Sequence, residues 1–336
     1  MENIELLQLT WFFLILFLLV GYSLLDGFDL GVGMVLPFLG KEKEEKVLLF
    51  NSLAPVWDGN EVWLITAGGA LFAAFPQAYA TVFSGFYAAL TCALGALILR
   101  AVSIEFRHHD RKRERCWERM FVLGSFLATI ILGLALGNVI YGIPLNGRME
   151  YAGSFITLFR PVPLLIALTL VFGFAVHGVA WVIAKTGGEL QKRAMYFGRY
   201  LIFPYLIAAV LLLYFLFTYF NHLRGHVGFY LALVLFLIGE GGFIWTIKKN
   251  RDRGPLIFSS LTLIGLWMAL AWAQLPCLVR ASNDPVLSIT IFNGSTGIYT
   301  LQVMTVLAII GMPLVIAYSY FVYRCFRGKV DKGKTY

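Results

Sequence analysis

The chain has 336 residues, 59% of them hydrophobic and 14% charged, with a formal net charge of +8. A soluble globular domain carries about 25% charged residues, so this composition excludes an ordinary soluble enzyme and describes a protein embedded in a membrane. Four cysteines (Cys92, Cys116, Cys277 and Cys325) are scattered without a CxxC pair and point to neither a disulfide framework nor a thiolate metal site.

The first residues, MENIELLQLT, hold acids but no Lys or Arg. A secretory signal opens with positive charge, so the apolar stretch at 6–38 is expected to remain as a spanning helix. A span takes about 20 mostly apolar residues. Further stretches of that kind lie at 57–75, 79–104, 118–142, 161–184, 199–220, 227–247, 256–276 and 299–323. Sustained period-two alternation, the mark of a β-barrel, is absent. The expectation is an all-α integral membrane protein of about nine transmembrane helices, forming a single polytopic domain over 1–336.

Of the 27 Lys and Arg residues, 23 fall after the odd-numbered stretches or on their flanks. Arg100 and Arg107 count among those flanks, and Lys332 and Lys334 belong to the tail, 324–336. Only Arg148, Arg160, Arg224 and Arg280 lie on the other side. The positive-inside rule then predicts an outer N-terminus and a cytoplasmic C-terminus. Basic charge distributed in this way marks topology and contacts with anionic lipid; nucleic acid is not an expected partner. The longest breaks, 143–160 and 277–298, both fall on the outer side, and neither can hold a large soluble domain.

Charged side chains inside a span are expensive unless paired or hydrated, so each is a functional candidate. Asp26 and Asp29 lie toward the inner end of the first stretch, and Asp58 and Glu61 open the second, in NSLAPVWDGNEVWLITAGGALFAAFP. His177 and Glu240 each precede an inner loop by about eight residues, or ~12 Å of helix. All six belong to the inner half, whereas Asn138 is the main polar candidate of the outer half. Each acidic pair is spaced by three residues and so shares a helical face.

Pro55 suits a first helical turn, and acids there meet the positive end of the helix dipole. The plain reading is therefore helix capping, with Trp57 and Trp63 as interfacial aromatics. The sharper reading is a proton-accepting carboxylate cluster open to the cytoplasm. Gly27, Gly31, Gly33, Gly68 and Gly69 are expected to let helices pack closely. His177 reads as a hydrogen-bonded core residue. A bis-histidine haem would need a second histidine inside a span, and His108, His109, His222 and His226 lie at or beyond span ends. The GEGG stretch around Glu240 is short and weakly specific.

The end of the first stretch, LLDGFDLGVGMVLPFLG, with the following NSLAPVWDGNEVWLITAGGALFAAFPQAYATVFSGFYAAL, resembles subunit II of the cytochrome bd-type quinol oxidases. The likeness is dense over 20–90 and looser over SITIFNGSTGIYTLQVMT at 288–305. The resemblance implies two four-helix bundles (1–142 and 155–276) and one peripheral helix (299–323), paired with a homologous subunit I by a pseudo-two-fold relation. It also implies that subunit I carries haem b, haem d (or a b-type haem in its place) and the quinol-oxidising loop, with no cofactor held by this chain. A small single-helix third subunit can accompany such a pair.

The implied complex, in a bacterial or archaeal cell membrane, reduces O2 to water with electrons from quinol on the outer side and protons from the cytoplasm. The family's Asp at the position of Asp58 is implicated in proton delivery, and its Trp at the position of Trp63 in an apolar route for O2. Together with the depth argument, this gives a proton pathway of Asp58, Glu61, Asp29, Asp26 and Glu240, and an O2 route at Trp63. The alternative is a proton-coupled secondary transporter, which also uses interrupted helices and buried carboxylates.

Overall fold

A computed structural model describes residues 2–330; the end of the tail, with Lys332 and Lys334, lies outside the described residues. The chain runs through α1 (Glu2–Leu39), α2 (Lys43–Leu53), α3 (Trp57–Ala74), α4 (Pro76–Gly85), α5 (Tyr87–His109) and α6 (Glu114–Tyr141). It continues through α7 (Pro161–Lys185), α8 (Gly188–Tyr219), α9 (Val227–Lys248), α10 (Gly254–Gln274) and α11 (Ile298–Cys325). A two-stranded ladder, β1 (Cys277–Val279) against β2 (Ile289–Thr290), sits between α10 and α11.

Eight of the described helices, α1 and α5 to α11, are long and apolar enough to cross a membrane. The 18-residue α3 stands apart from them because Asp58, Asn60 and Glu61 occupy its first turns. The all-α membrane architecture read from the sequence is the one observed.

Local differences have physical causes. The segment after the first stretch contains a helix of its own, α2, whose first turn is closed by a capping box between Glu42 and Glu45. Its Leu48, Leu49, Phe50 and Leu53 are buried, so a segment read as a loop is part of the core. Pro55 lies in the turn before α3, not in its first helical turn. The stretch read as one span over 79–104 is broken at Phe86 into α4 and α5. Gly85 ends α4 where the chain presses on Tyr151; a Cβ on this glycine would stand 2.6 Å from Tyr151 Cβ.

In the packing, α1 lies along α3, α6 and α7, α5 pairs with α6, α7 touches α8 and α10, and α9 pairs with α10. The α1–α7 crossing is close because Gly31 and Gly178 face each other, and a Cβ on either would overlap the opposing backbone. Gly33 makes the same allowance for Ser125 of α6. Gly68 and Gly69, by contrast, have open space beside them, so close packing within this chain does not account for them. The helix α11 touches α1 and α3 and leaves most of its surface exposed.

The two ends of the helix array are held differently. At one end the two long breaks meet: Ile143 N–H donates to Arg280 O at 2.9 Å, and Asn283 Nδ2 donates to Leu145 O at 2.8 Å. At the other, ion pairs tie the connections together: Arg193–Glu45 at 2.7 Å, Lys46–Glu118 at 2.8 Å and Lys329–Asp252 at 2.8 Å.

Candidate functional site

The carboxylates singled out in α1 and α3 converge at a buried arginine from α5. Arg100 Nη1 lies 2.6 Å from Asp26 Oδ1, and neither side chain is exposed. The other arm, Nη2, lies 3.5 Å from Glu61 Oε2, whose side chain is 21% exposed. Asp29, one turn after Asp26, accepts a hydrogen bond from Asn60 Nδ2 at 2.8 Å. Asn60 also donates to Leu25 O at 3.2 Å and accepts from Tyr323 Oη of α11 at 2.8 Å. Asp58 is exposed at the start of α3, one turn before Glu61. The cluster thus runs from a surface carboxylate through a half-buried one to a fully buried ion pair, with Asp29 held beside it by the Asn60 amide.

This arrangement follows from helix geometry. Positions 26 and 29 share a face of α1, and 58 and 61 share a face of α3. Because α1 and α3 are packed along each other, those two faces can meet. A lone guanidinium in an apolar interior is tolerated only when paired, and Asp26 provides that partner. Among the described residues, Arg100 pairs with two carboxylates, Asp26 and Glu61, and the third, Asp29, is held beside them by Asn60.

Several of these residues escaped the reading of the sequence. Arg100 and Arg107 were counted as flanks of an inner loop, yet both are buried. Arg107 pairs with Glu118 at 2.9 Å and stacks over the Phe50 ring, 4.6 Å from its centroid. Arg100 had a signal: AVSI follows it, so it lies inside the apolar run and not beyond it. Asn60, between Asp58 and Glu61, carries no charge, so a search for ionisable groups inside spans does not nominate it. No local pattern could have nominated Tyr323, 263 residues away.

Glu240 stands apart. It is buried on α9 beside Thr262 of α10. Among the described residues, no hydrogen bond or ion pair joins it to the Arg100 cluster. The glycines around it serve the α9–α10 contact, Gly239 against Thr262 and Gly242 against Phe258. Asn138, the outer candidate, accepts from Arg160 Nη2 at 2.8 Å and donates to Leu134 O and Leu158 O. It is a structural clamp at the far end of α6.

Trp63 is not an interfacial aromatic. It is 6% exposed, packed over Gly21 and 5.8 Å from the Phe17 ring. Phe17 in turn lines an apolar groove of about 440 Å³ between α1, α3 and α11, where Gly69 and Ala70 also lie. A second apolar groove, of about 730 Å³, runs between α3 and α5; Ala67 and Gly68 line it, and Gly69 lines both grooves. Trp63 itself backs the first groove through Phe17.

A haem requires a ligand with a free lone pair, and His177 does not offer one. Its Nε2 faces Leu24 O at 2.9 Å and must carry the proton, because a carbonyl only accepts. The remaining lone pair, on Nδ1, accepts from Ser259 Oγ at 2.8 Å. The ring is fully buried and packs near Phe28, which is itself stacked on Trp181 at 3.8 Å. As held here, His177 is not placed to ligate a haem. Among the described residues, no group of three or more His, Cys, Asp or Glu is placed to hold a metal ion.

Comparison with known proteins agrees with this architecture. The family model described as cytochrome bd terminal oxidase subunit II matches residues 7–326. The chain is 32% identical to cytochrome bd-I ubiquinol oxidase subunit 2 of Escherichia coli strain K12, over 99% of this chain and 97% of that protein. It is also 32% identical to cytochrome bd ubiquinol oxidase subunit 2 of Bacillus subtilis strain 168, over 96% of each. In fold it is similar to a chain of the bd oxidase from Geobacillus thermodenitrificans, with a TM-score of 0.77 at 19% identity, covering 95% of this chain and 98% of that one. The chain belongs to the cytochrome bd terminal oxidase subunit II family: it is a multi-pass membrane subunit of an oxidoreductase complex.

Proposed function

We propose that this subunit II delivers cytoplasmic protons, and admits O2 from the bilayer, to a haem-bearing subunit I that oxidises quinol and reduces O2 to water. In this reading α1, α3, α5 and α6 form one four-helix bundle and α7 to α10 the other, with α11 peripheral. The N-terminus lies outside and the C-terminus in the cytoplasm. The haems belong to subunit I, as the engagement of both His177 nitrogens supports.

One observation carries the proton reading: the graded burial of Asp58, Glu61 and the Asp26–Arg100 pair along contacting helices. Asp58 collects protons at the inner surface. Glu61 passes them beneath the surface, and the set built on Asp26 and Asp29 holds them, because its carboxylates outnumber its cations. Arg100 keeps the set anchored, and Asn60 fixes the orientation of Asp29. Glu240 is read as a separate buried carboxyl of the second bundle, with a smaller share in proton movement. The apolar grooves at Gly69 suit O2, which prefers an apolar lining to water, and Trp63 backs one of them through Phe17.

The test is Asp58→Asn in the assembled complex, read by O2 consumption, cytoplasmic proton uptake and the reduced-minus-oxidised haem spectrum. Slowed turnover and proton uptake with full haem content are expected. Wild-type turnover would return Asp58 to the role of a helix cap.

A further inference from the structure

At the ion-paired end of the helix array, a pocket of about 270 Å³ opens between the end of α1, the helix α2 and the start of α6, and none of its lining residues belongs to the Arg100 cluster. We propose that it binds the phosphate of an anionic phospholipid. Three of its lining side chains are cations: Lys46 of α2, and Arg115 and Arg119 of α6. Arg115 and Arg119 are spaced by four residues, so they stand on one face of α6 and can close on the same oxygens. Both are exposed, and neither has an ion-pair partner among the described residues.

The pocket also holds a carboxylate, Glu118, which would oppose an anion if it were free. It is occupied: Oε1 accepts from Arg107 Nη2 at 2.9 Å and Nε at 3.3 Å, and Oε2 from Lys46 Nζ at 2.8 Å. With Arg107 buried behind it, Glu118 serves to aim Lys46 into the pocket, and the net charge of the lining stays positive. Glu114, one turn earlier on α6, is likewise engaged, 2.8 Å from Lys43 Nζ. Gly40 leaves room for the lysine stem, since a Cβ there would stand 2.8 Å from Lys46 Cγ.

The remaining walls distinguish a lipid from free phosphate. Leu36 and Pro37 of α1 and Val122 of α6 give the pocket an apolar side. Arg115 and Arg119 lie in the first two turns of a membrane-crossing helix, and Val122 lies one turn deeper. The cations therefore sit at headgroup level with apolar surface below them, the order in which a phospholipid presents its phosphate and its chains.

The experiment uses the delipidated, assembled complex, titrated by native mass spectrometry with phosphatidylglycerol, phosphatidylcholine and inorganic phosphate. Arg115→Gln/Arg119→Gln is compared with Lys112→Gln/Arg113→Gln, which removes as much charge from the same end but outside the pocket. The expected result is one tight phosphatidylglycerol site in the wild type and the control. The pocket variant should bind about thirtyfold more weakly, the scale of losing two basic contacts with an anionic headgroup. Equal phosphatidylglycerol affinity in the two variants would overturn the proposal. So would phosphatidylcholine bound as tightly as phosphatidylglycerol. Inorganic phosphate that binds as tightly as the lipid and displaces it would overturn the lipid assignment.

Discussion

Around α1, α3 and α5 the interior is ionic: a fully buried arginine joins carboxylates from two other helices, and an amide and a phenol extend the set. Around α7, α8, α9 and α10 the interior is nearly neutral. It holds the His177–Ser259 pair, threonines and the isolated Glu240, with no buried Lys or Arg among the described residues. Well-packed apolar residues generally stabilise an interior at least as well as a buried ion pair does. The ionic set is thus an expensive way to hold three helices together, which points to work done with its charge. The second interior reads as scaffold.

Removing the cation tests that contrast most severely. Arg100→Met leaves Asp26 buried without its partner, a loss of the order of 3–5 kcal/mol when one member of a buried pair is deleted. The melting temperature of the assembled complex should drop sharply, and turnover should fall by more than an order of magnitude. Arg100→Met/Asp26→Leu should recover most of the melting temperature and little of the proton uptake. Recovery of both would make the pair purely architectural and erase the difference between the two interiors.

Neutralising the surface end is gentler on the fold. Asp58→Asn and Glu61→Gln keep shape and hydrogen-bonding capacity while removing the exchangeable charge. Each should slow O2 reduction and proton uptake by about tenfold or more, the scale of losing a positioned proton-transfer group, with haem bands and melting temperature nearly unchanged. If Glu61→Gln alone left turnover intact, the link from Asp58 to Arg100 would have to run elsewhere.

The two interiors were unequally legible in the sequence. Hydropathy revealed most of the spans, because a run such as PVPLLIALTLVFGFAVHGVAWVIA has no other soluble or strand-like solution. The same depth counting grouped Asp26, Asp29, Asp58 and Glu61 with His177 and Glu240; the structure brings Asp26, Asp29 and Glu61 together around Arg100 and Asn60, with Asp58 one turn from Glu61, and leaves Glu240 and His177 apart. That counting misplaced Arg100 and Arg107, because a tally of basic residues near a span end cannot tell a loop arginine from one turned inward toward a carboxylate. It also passed over α2, whose mixed KEEKVLLFNSL is too short and too polar to register as a span. The pairing of Tyr323 with Asn60 is a matter of tertiary contact, and nothing in either neighbourhood announces it.

The grooves on α3 sharpen the comparison from its apolar side. Gly68 and Gly69 have no atom within 4 Å of where a Cβ would stand, so the branch point of Gly69→Phe meets no packed helix and its ring is directed to a groove. Gly69 lines both grooves, so the ring obstructs one or the other according to its rotamer. The apparent KM for O2 should rise by about threefold to tenfold, as for an obstructed pocket worth about 1 kcal/mol, with quinol affinity unchanged. An unaltered O2 dependence in both Gly68→Phe and Gly69→Phe would send gas access to another face.

The smallest effect on turnover is expected where the interior is neutral. His177 lies fully buried between Leu24 O and Ser259 Oγ, and its imidazole bridges α1, α7 and α10. His177→Ala removes that bridge, leaves a carbonyl and a hydroxyl without their partner, and opens a void the size of the ring. Each buried polar group so orphaned costs about 1–3 kcal/mol, so the melting temperature of the complex should fall. The chemistry should not follow it: haem bands at unchanged subunit stoichiometry and near wild-type O2 reduction per assembled complex are expected under the proposed function, because both ring nitrogens are engaged by Leu24 O and Ser259 Oγ and no hydrogen bond joins the ring to the Arg100 set among the described residues. His177→Gln, which can still reach one of the two partners, should recover part of the stability. Loss of a haem band in His177→Ala with both subunits present would place a ligand in the second interior and reverse the assignment of scaffold and machinery.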